Sequence, residues 1–208
     1  MKLVAGHLVI ATHNPGKLRE MAELLAPYDV SAVSAAELGL AEPDETGLTF
    51  GANAALKAEA ATAATGLAAF ADDSGLCVGA LDGAPGIYSA RWAKDAGSFD
   101  AAMARLEDAL AARGGKPPYR AWFISALALS RPGEATMTVE GRVDGELVFP
   151  PRGTLGFGYD PVFRPDGHAR TFGEMSAKEK HGIPADGSQA LSHRARAFQA
   201  FARACLTD

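Results

Sequence analysis

Apolar positions recur along this chain at two different periods, and the switches between them predict an α/β protein. His7 to Thr12 is a short apolar run and predicts a first strand. An Asn14-Pro15-Gly16 turn follows, and Lys17 to Leu25 carries Leu18, Met21, Ala22 and Leu25 at helical spacing. Asp29 to Val33 predicts a second strand, and Ser34 to Leu48 a loop. Thr49 is placed to N-cap a helix reaching Thr65. Thr49, Asn53 and Lys57 share one face of it, while Leu56, Ala60 and Ala63 mark another. Such a polar stripe is ordinarily the wet side of a helix. After Gly66, Leu67 to Ala71 reads as a short buried strand that ends on two adjacent carboxylates, Asp72 and Asp73. Ser74 and Gly75 follow and predict a turn.

Further along, Leu76 to Leu81 predicts a strand, Asp82 to Gly86 a loop, and Phe99 to Arg113 a helix with Met103, Leu106 and Leu110 inward. Gly114 to Pro118 breaks the pattern. Arg120 to Ser130 and Ala135 to Val143 predict two strands joined by Arg131-Pro132-Gly133-Glu134, a hairpin signal. Their antiparallel pairing makes the sheet mixed. A long loop ends in Gly156-Phe157-Gly158-Tyr159-Asp160-Pro161, where glycines flanking an aromatic let backbone approach a flat ligand. Glu174 to Lys180 predicts a short helix, and Gln189 to Leu206 a last one with Leu191, Ala195, Phe198, Ala202 and Cys205 inward.

Composition narrows the function classes. The chain has 208 residues, 48% hydrophobic and 22% charged, which suits a soluble protein that folds as one α/β domain over 1–208. A net charge of −5 argues against broad electrostatic binding to nucleic acid, though not against a local basic pocket. Only two cysteines, Cys77 and Cys205, occur, in no metal or redox spacing, which fits a reducing cytoplasm. No run approaches membrane-spanning length, and Met1 to Ile10 is too short and broken for a signal peptide.

The candidate chemistry gathers at a few stretches. A carboxylate at the carboxyl end of a strand in an α/β sheet lies where ligands bind, and can hold Mg²⁺ or take a proton from water. Asp72 and Asp73 are so placed, although an Asp-Asp-Ser-Gly surface turn reads equally well from those residues alone. The first strand–turn–helix puts Thr12, His13, Asn14 and Lys17 around a helix N-terminus, whose N–H groups suit phosphate. It is not a Walker loop, since Gly16-Lys17 is followed by Leu18. Ser192, His193 and Arg194 open the last helix, where an anion is welcome. Arg91 suits a phosphate, a partner subunit or a structural ion pair. Taken together, Lys17, Lys57, Lys180 and Arg194 as cations, two aspartates and an aromatic Gly-rich loop are the parts of a nucleoside triphosphate site.

At this point the sequence resembles the inosine/xanthosine triphosphate pyrophosphatases. Seven stretches match in order: Ala11 to Lys17, Glu45 to Phe50, Asn53 to Ala58, Ala71 to Leu76, Gly83 to Arg91, Gly156 to Pro161, and Ser192-His193-Arg194. The resemblance implies a two-lobed α/β fold with a long mixed sheet and a cleft between the lobes. It also implies Mg²⁺, a homodimer, and hydrolysis of non-canonical purine nucleoside triphosphates (ITP, dITP, XTP) to the monophosphate and pyrophosphate. Carried across by motif, Thr12, His13, Asn14, Pro15, Gly16, Lys17 and Lys57 hold the phosphates. Asp73 is general base and metal ligand, Glu45 a second metal carboxylate, and Ser74 a substrate contact. Phe157, Gly158, Tyr159 and Asp160, with His193 and Arg194, hold the base, and Lys180 joins the substrate set. Two departures stand out: Ala52 occupies the family's Glu position before Asn53, and the loop between Lys180 and His193 is long. A related class acting on modified pyrimidine or 7-methylguanine nucleotides lacks motifs here. A nucleotide sensor without hydrolysis has no need of a base, so the aspartate pair argues against it.

Overall fold

The computed structural model describes residues 7–28 and 30–206. Residues 1–6 and 207–208, and Asp29, with which the second predicted strand begins, lie outside them. Among the described residues, one mixed sheet of six strands runs β2-β1-β3-β4-β5-β6. The strands are β1 (His7–Ile10), β2 (Ser31–Ser34), β3 (Ala68–Val78), β4 (Tyr119–Ser130), β5 (Met137–Leu147) and β6 (Phe163–Pro165). β2, β1 and β3 are parallel, and the rest pair antiparallel. The helices are α1 (Pro15–Leu25), α2 (Phe50–Thr65), α3 (Ser89–Ala96), α4 (Phe99–Ala112), α5 (Ala177–His181) and α6 (His193–Cys205). The mixed α/β sheet and the predicted hairpin are borne out, while α3 and β6 have no counterpart in the sequence reading.

Each face of the sheet has its own filling. On one face Leu8, Ile10 and Phe70 pack with Met21 and Leu25 of α1 and Phe198 and Phe201 of α6. On the other, Val9, Ala69, Ala71, Ala126 and Ala128 meet Ala54 and Ala58 of α2. Alanine against alanine lets α2 lie close to the sheet. It also reverses the expected orientation: Asn53 and Lys57 are buried, whereas Ala60 and Ala63 are exposed. A third cluster builds the second lobe from Leu76, Val78, Phe123, Leu106, Leu110, Phe163 and Phe172.

The predicted Asp-Asp-Ser-Gly turn does not exist. β3 runs unbroken through it for 11 residues. Asp72, Asp73, Ser74 and Gly75 stand opposite Leu127, Ala126, Ser125 and Ile124 of β4, and this pairing outweighs local turn preference. Gly75 serves close approach instead, since a Cβ there would collide with Gly86 O and Ser89 Oγ. The last helix starts at His193, not Gln189, because Ser192 caps it by accepting from Ala195 N.

The cleft follows from where β1 stops. β1 pairs with β3 only as far as Phe70, and along the same edge Pro85 next bridges to Cys77. Asp72 to Gly75 lie in the gap. The chain leaves β1 for α1 on one face and reaches β3 from α2 on the other. That reversal beside the carboxyl end of a parallel strand opens a crevice.

Candidate active site

A cavity of about 430 Å³ occupies this crevice, lined among others by Lys17, Glu45, Lys57, Asp73, Phe157 and Arg194. That volume is within the range that holds a small organic ligand. Because side chains alternate along β3, Asp73 faces α2 and Asp72 faces α1 and α6.

Toward α2, Lys57 Nζ donates to Asp73 Oδ1 at 2.8 Å and to Glu45 Oε1 at 2.9 Å. Asn53 Nδ2 lies 3.4 Å from Asp73 Oδ2 and its Oδ1 accepts from Gly47 N at 2.8 Å, which ties the Glu45 loop to α2. Arg91 Nη2 donates to Glu45 O at 2.9 Å, so Arg91 is a structural clamp on that loop. Burial raises the Asp73 carboxyl above its ordinary value; Lys57 and Lys17 pull it down, and the Glu45 charge pushes it up. Burial also opposes ionisation of Glu45, but Lys57, Lys17 and Arg91 outweigh it and hold that carboxyl below its usual range. Lys57 is disfavoured by burial and favoured more by Asp73 and Glu45, so its ammonium stays charged. A hard divalent cation fits this donor set: two carboxylates already converge on one positive charge. Among the described residues no three His, Cys, Asp or Glu side chains gather into a metal cage. Glu45 and Asp73 are the carboxylates that could hold such a cation, with water and phosphate oxygens completing its shell.

Toward α1 and α6, Asp72 is saturated. Lys17 Nζ lies 2.9 Å from Oδ2, Arg194 Nη2 3.3 Å from the same oxygen, and Ser125 Oγ donates to Oδ1 at 2.6 Å. Ser74 Oγ donates to Asp72 Oδ2 at 2.9 Å and accepts from Arg194 Nη2 at 2.8 Å. Burial would raise Asp72, yet Arg194 and Lys17 hold it far below the usual carboxylate range. Glu20 of α1 takes Arg194 Nη1 on Oε2 and has His181 Nε2 2.9 Å from Oε1. Burial opposes its charge, but His181 and Arg194 bring its pKa down to about 2. Arg194 is only 2% exposed, so it is an internal strut as well as a wall of the cavity.

The start of α1 differs from the sequence picture. Asn14 Oδ1 accepts from Gly16 N and Lys17 N, so those two N–H groups are capped from within. Pro15 sits at the first helical position, where its missing N–H costs nothing. Thr12 Oγ1 accepts from Asn14 N at 3.2 Å, and His13 turns outward to Leu40 O at 2.8 Å. A phosphate here would therefore meet the Lys17 side chain rather than a bare helix end.

Phe157 packs on this turn, against Gly16, and Arg194 Cζ lies 5.7 Å from its ring centroid. Its flanking Gly156 leaves room for protein rather than ligand. A Cβ there, at φ +78°, would strike Asp160 Oδ2 and Lys180 Nζ. Lys180, 1% exposed, donates to Asp160 Oδ2 at 2.7 Å, and Phe157 N donates to the same oxygen at 3.1 Å. These two predicted substrate residues thus line the cavity as an ion pair that braces the Phe157 loop. Gly158, at φ +70°, turns the chain so that Tyr159 points inward. Tyr159 is 2% exposed and donates to Ser89 O at 3.2 Å, which anchors the loop to the start of α3. The His193 ring stacks on Phe123 at 4.7 Å and 14°. Burial, with Arg194 beside it, lowers its pKa well below the ordinary value, so it is neutral. His193 Nδ1 and Arg194 Nε are buried and have no hydrogen-bond partner among the described residues.

All the predicted site residues from Thr12 to Arg194 therefore fall on or beside one cavity, except that Gly16 reaches it through Phe157. Glu20, Asn53, Ser125 and His181 were missed. Glu20 carries a readable signal, lying three residues after Lys17 on the same face of α1. Ser125 and His181 carry none, since long-range pairing alone brings them in.

The fold and cleft define an α/β protein whose sheet opens at a switch point onto paired carboxylates and lysines. The Ham1 family model matches residues 8–204, and the chain belongs to the Ham1 family. A dITP/XTP pyrophosphatase of Rhodopseudomonas palustris is 64% identical over 205 residues, 98% of this chain and 97% of that protein. One of Agrobacterium fabrum is 54% identical over 210 residues, 99% of this chain and 98% of that protein. Among solved structures, a HAM1 protein from Coxiella burnetii matches with a TM-score of 0.83 at 35% identity, covering 95% of this chain and 97% of that one. The Staphylococcus aureus Ham1 protein matches with a TM-score of 0.80 at 35% identity, covering 96% and 99%.

Proposed function

We propose that this protein hydrolyses non-canonical purine nucleoside triphosphates, dITP, ITP and XTP, to the monophosphate and pyrophosphate. The observation that carries the chemistry is the Asp73–Lys57–Glu45 cluster: a carboxylate of raised pKa beside a retained ammonium and a second carboxylate. Lys17 and Lys57 bind the phosphates. Asp73 orients a water against the α-phosphorus and takes its proton on a carboxylate oxygen. Asp72, held ionised, keeps Lys17 and Arg194 in place. Mg²⁺, held by Glu45 and Asp73, would supply further neutralisation of phosphate charge.

Base choice rests on Phe157, His193 and Arg194. Phe157 offers a face for stacking. Among the described residues, His193 Nδ1, Arg194 Nε and His181 Nε2 are buried atoms of this cavity's lining with no hydrogen-bond partner, and the first two belong to the residues carried over to the base. An N–H donor there suits the 6-oxo group of hypoxanthine and xanthine, whereas the 6-amine of adenine leaves it unpaired, a loss of about 1–3 kcal/mol. Guanine shares the oxo group, so its rejection has to fall at the 2-amino group.

In this reading the chain acts as one domain, in the cytoplasm, as a homodimer, and binds neither nucleic acid nor membrane. No helix among the described residues is long and apolar enough to cross a membrane. The test is product analysis with dITP or XTP and Mg²⁺. Monophosphate and pyrophosphate are expected; diphosphate and orthophosphate would move the cleavage to the γ-phosphorus and overturn the reading.

A further inference from the structure

The long loop between Lys180 and His193 returns to where it left. Residues 182–189 run along the surface, with only Pro184 half-buried, and the chain re-enters at buried Ala190. Ser192 N donates to Lys180 O at 3.0 Å, and His181 Nδ1 lies 2.8 Å from Ser192 Oγ. His181 ends α5, is 8% exposed, and has its other ring nitrogen 2.9 Å from Glu20 Oε1. Glu20 in turn holds Arg194 with Oε2. The consecutive helices α5 and α6 and the remote α1 therefore meet through His181, Arg194 and Glu20.

Hydrogen-bond logic fixes the direction of this relay. The Ser192 oxygen already accepts Ala195 N–H, so its own proton is available to Nδ1. The imidazole proton then sits on Nε2, which lies in ion-pair contact with Glu20 Oε1 but off the line of a hydrogen bond. The other charged neighbours are engaged: Lys180 pairs with Asp160, and Arg194 reaches Asp72 and Ser74 as well as Glu20. Without His181, one Glu20 oxygen would be buried with nothing to hold its direction.

We infer that His181 is a positioning residue for purine selection: it fixes Glu20, and Glu20 sets the angle at which Arg194 enters the base pocket. This rests on the reading that Arg194 meets the base. Two variants separate the ring nitrogens. In His181→Gln the amide reaches as far as Nε2 and keeps the link to Glu20. In His181→Asn it reaches only as far as Nδ1 and keeps the link to Ser192.

The measurement is kcat/KM for dITP and dATP, with a thermal melt of each variant. The Gln variant keeps the native dITP/dATP ratio to within about twofold. The Asn variant loses about tenfold, the scale of one hydrogen bond to a charged group, through a raised KM for dITP. A native ratio in the Asn variant, an equal fall in both variants, or losses shared by both nucleotides overturns the inference. Calorimetric binding of dIMP repeats the comparison without hydrolysis, and there the Asn variant binds about tenfold more weakly and the Gln variant as native. A native enzyme that releases no pyrophosphate from dITP yet shows this dIMP pattern overturns the proposed reaction and leaves His181 in its role. A native protein that binds no dIMP overturns both.

Discussion

On the α6 face of β3, Asp72 meets Lys17, Arg194, Ser74 and Ser125, with Arg194 shared with Glu20; on the α2 face, Asp73 shares the ammonium of Lys57 with Glu45. The two side chains are nearly equally buried, at 3% and 5% exposure for their residues. Burial is therefore not what separates them. The number of partners is, and it drives the two carboxyls in opposite directions, Asp72 down and Asp73 up. A carboxylate held by two cations and two hydroxyls is a poor base and a good strut. One whose only paired cation is shared with a second carboxylate can still take a proton. The alternation of a strand thus makes two roles from one dipeptide.

The largest effect expected is on stability. Asp72→Asn leaves Arg194 and Lys17 facing a neutral amide in a buried site, which costs about 3–5 kcal/mol. Urea melts of the apo protein would measure it. A loss below about 1 kcal/mol would place Asp72 with the surface pairs and erase the contrast. Asp73→Asn should do the reverse: a native-like melt, and a kcat lower by at least about 10²-fold, the low end for losing a general base. Near-native turnover would mean that another group handles the proton.

These roles were only half legible in the sequence. Periodicity gave β1, α1, α2, α4 and the β4–β5 hairpin, because each has its own apolar rhythm and turn signal. It failed at Asp72 to Gly75, where turn-forming residues sit in mid-strand. Their partners there are 53 positions away at Ser125 and 122 away at Arg194, and no local window contains them. The same holds for the polar stripe of α2, whose inward direction is set by Asp73 and the facing alanines. Asp160 and Lys180 were carried over as substrate contacts by the resemblance, yet their charges are matched to each other. The residues carried over by resemblance gather on one cavity, and the packing separates those that face it freely from those engaged with one another.

A smaller effect tests whether Lys57 belongs to the phosphates. Lys57→Ala leaves Glu45 and Asp73 without their common ammonium, so phosphate binding loses one charge clamp. KM should rise about tenfold for dITP and dATP alike, since an ammonium on phosphate does not read the base. A rise confined to dITP would move Lys57 to the purine.

The finest test is the slope of stability against pH. Asp72 has a folded pKa below its ordinary 3.8, so the unfolded chain binds more protons. Its contribution is present above 3.8 and is lost as pH falls from there toward the lower folded value. Asp73 has the opposite sign: its folded pKa lies above 3.8, so the native state holds more protons between 3.8 and that raised value. Its contribution therefore falls as pH rises through that window. One linked proton changes the slope by at most about 1.4 kcal/mol per pH unit. Urea midpoints of the metal-free protein from about pH 3 to pH 7 should thus show a flatter acid limb in Asp72→Asn. In Asp73→Asn they should show a steeper gain above 3.8 than the native protein has. Identical slope changes in the two variants would mean that the carboxyls titrate alike, and the division of labour across β3 would then have to come from position alone.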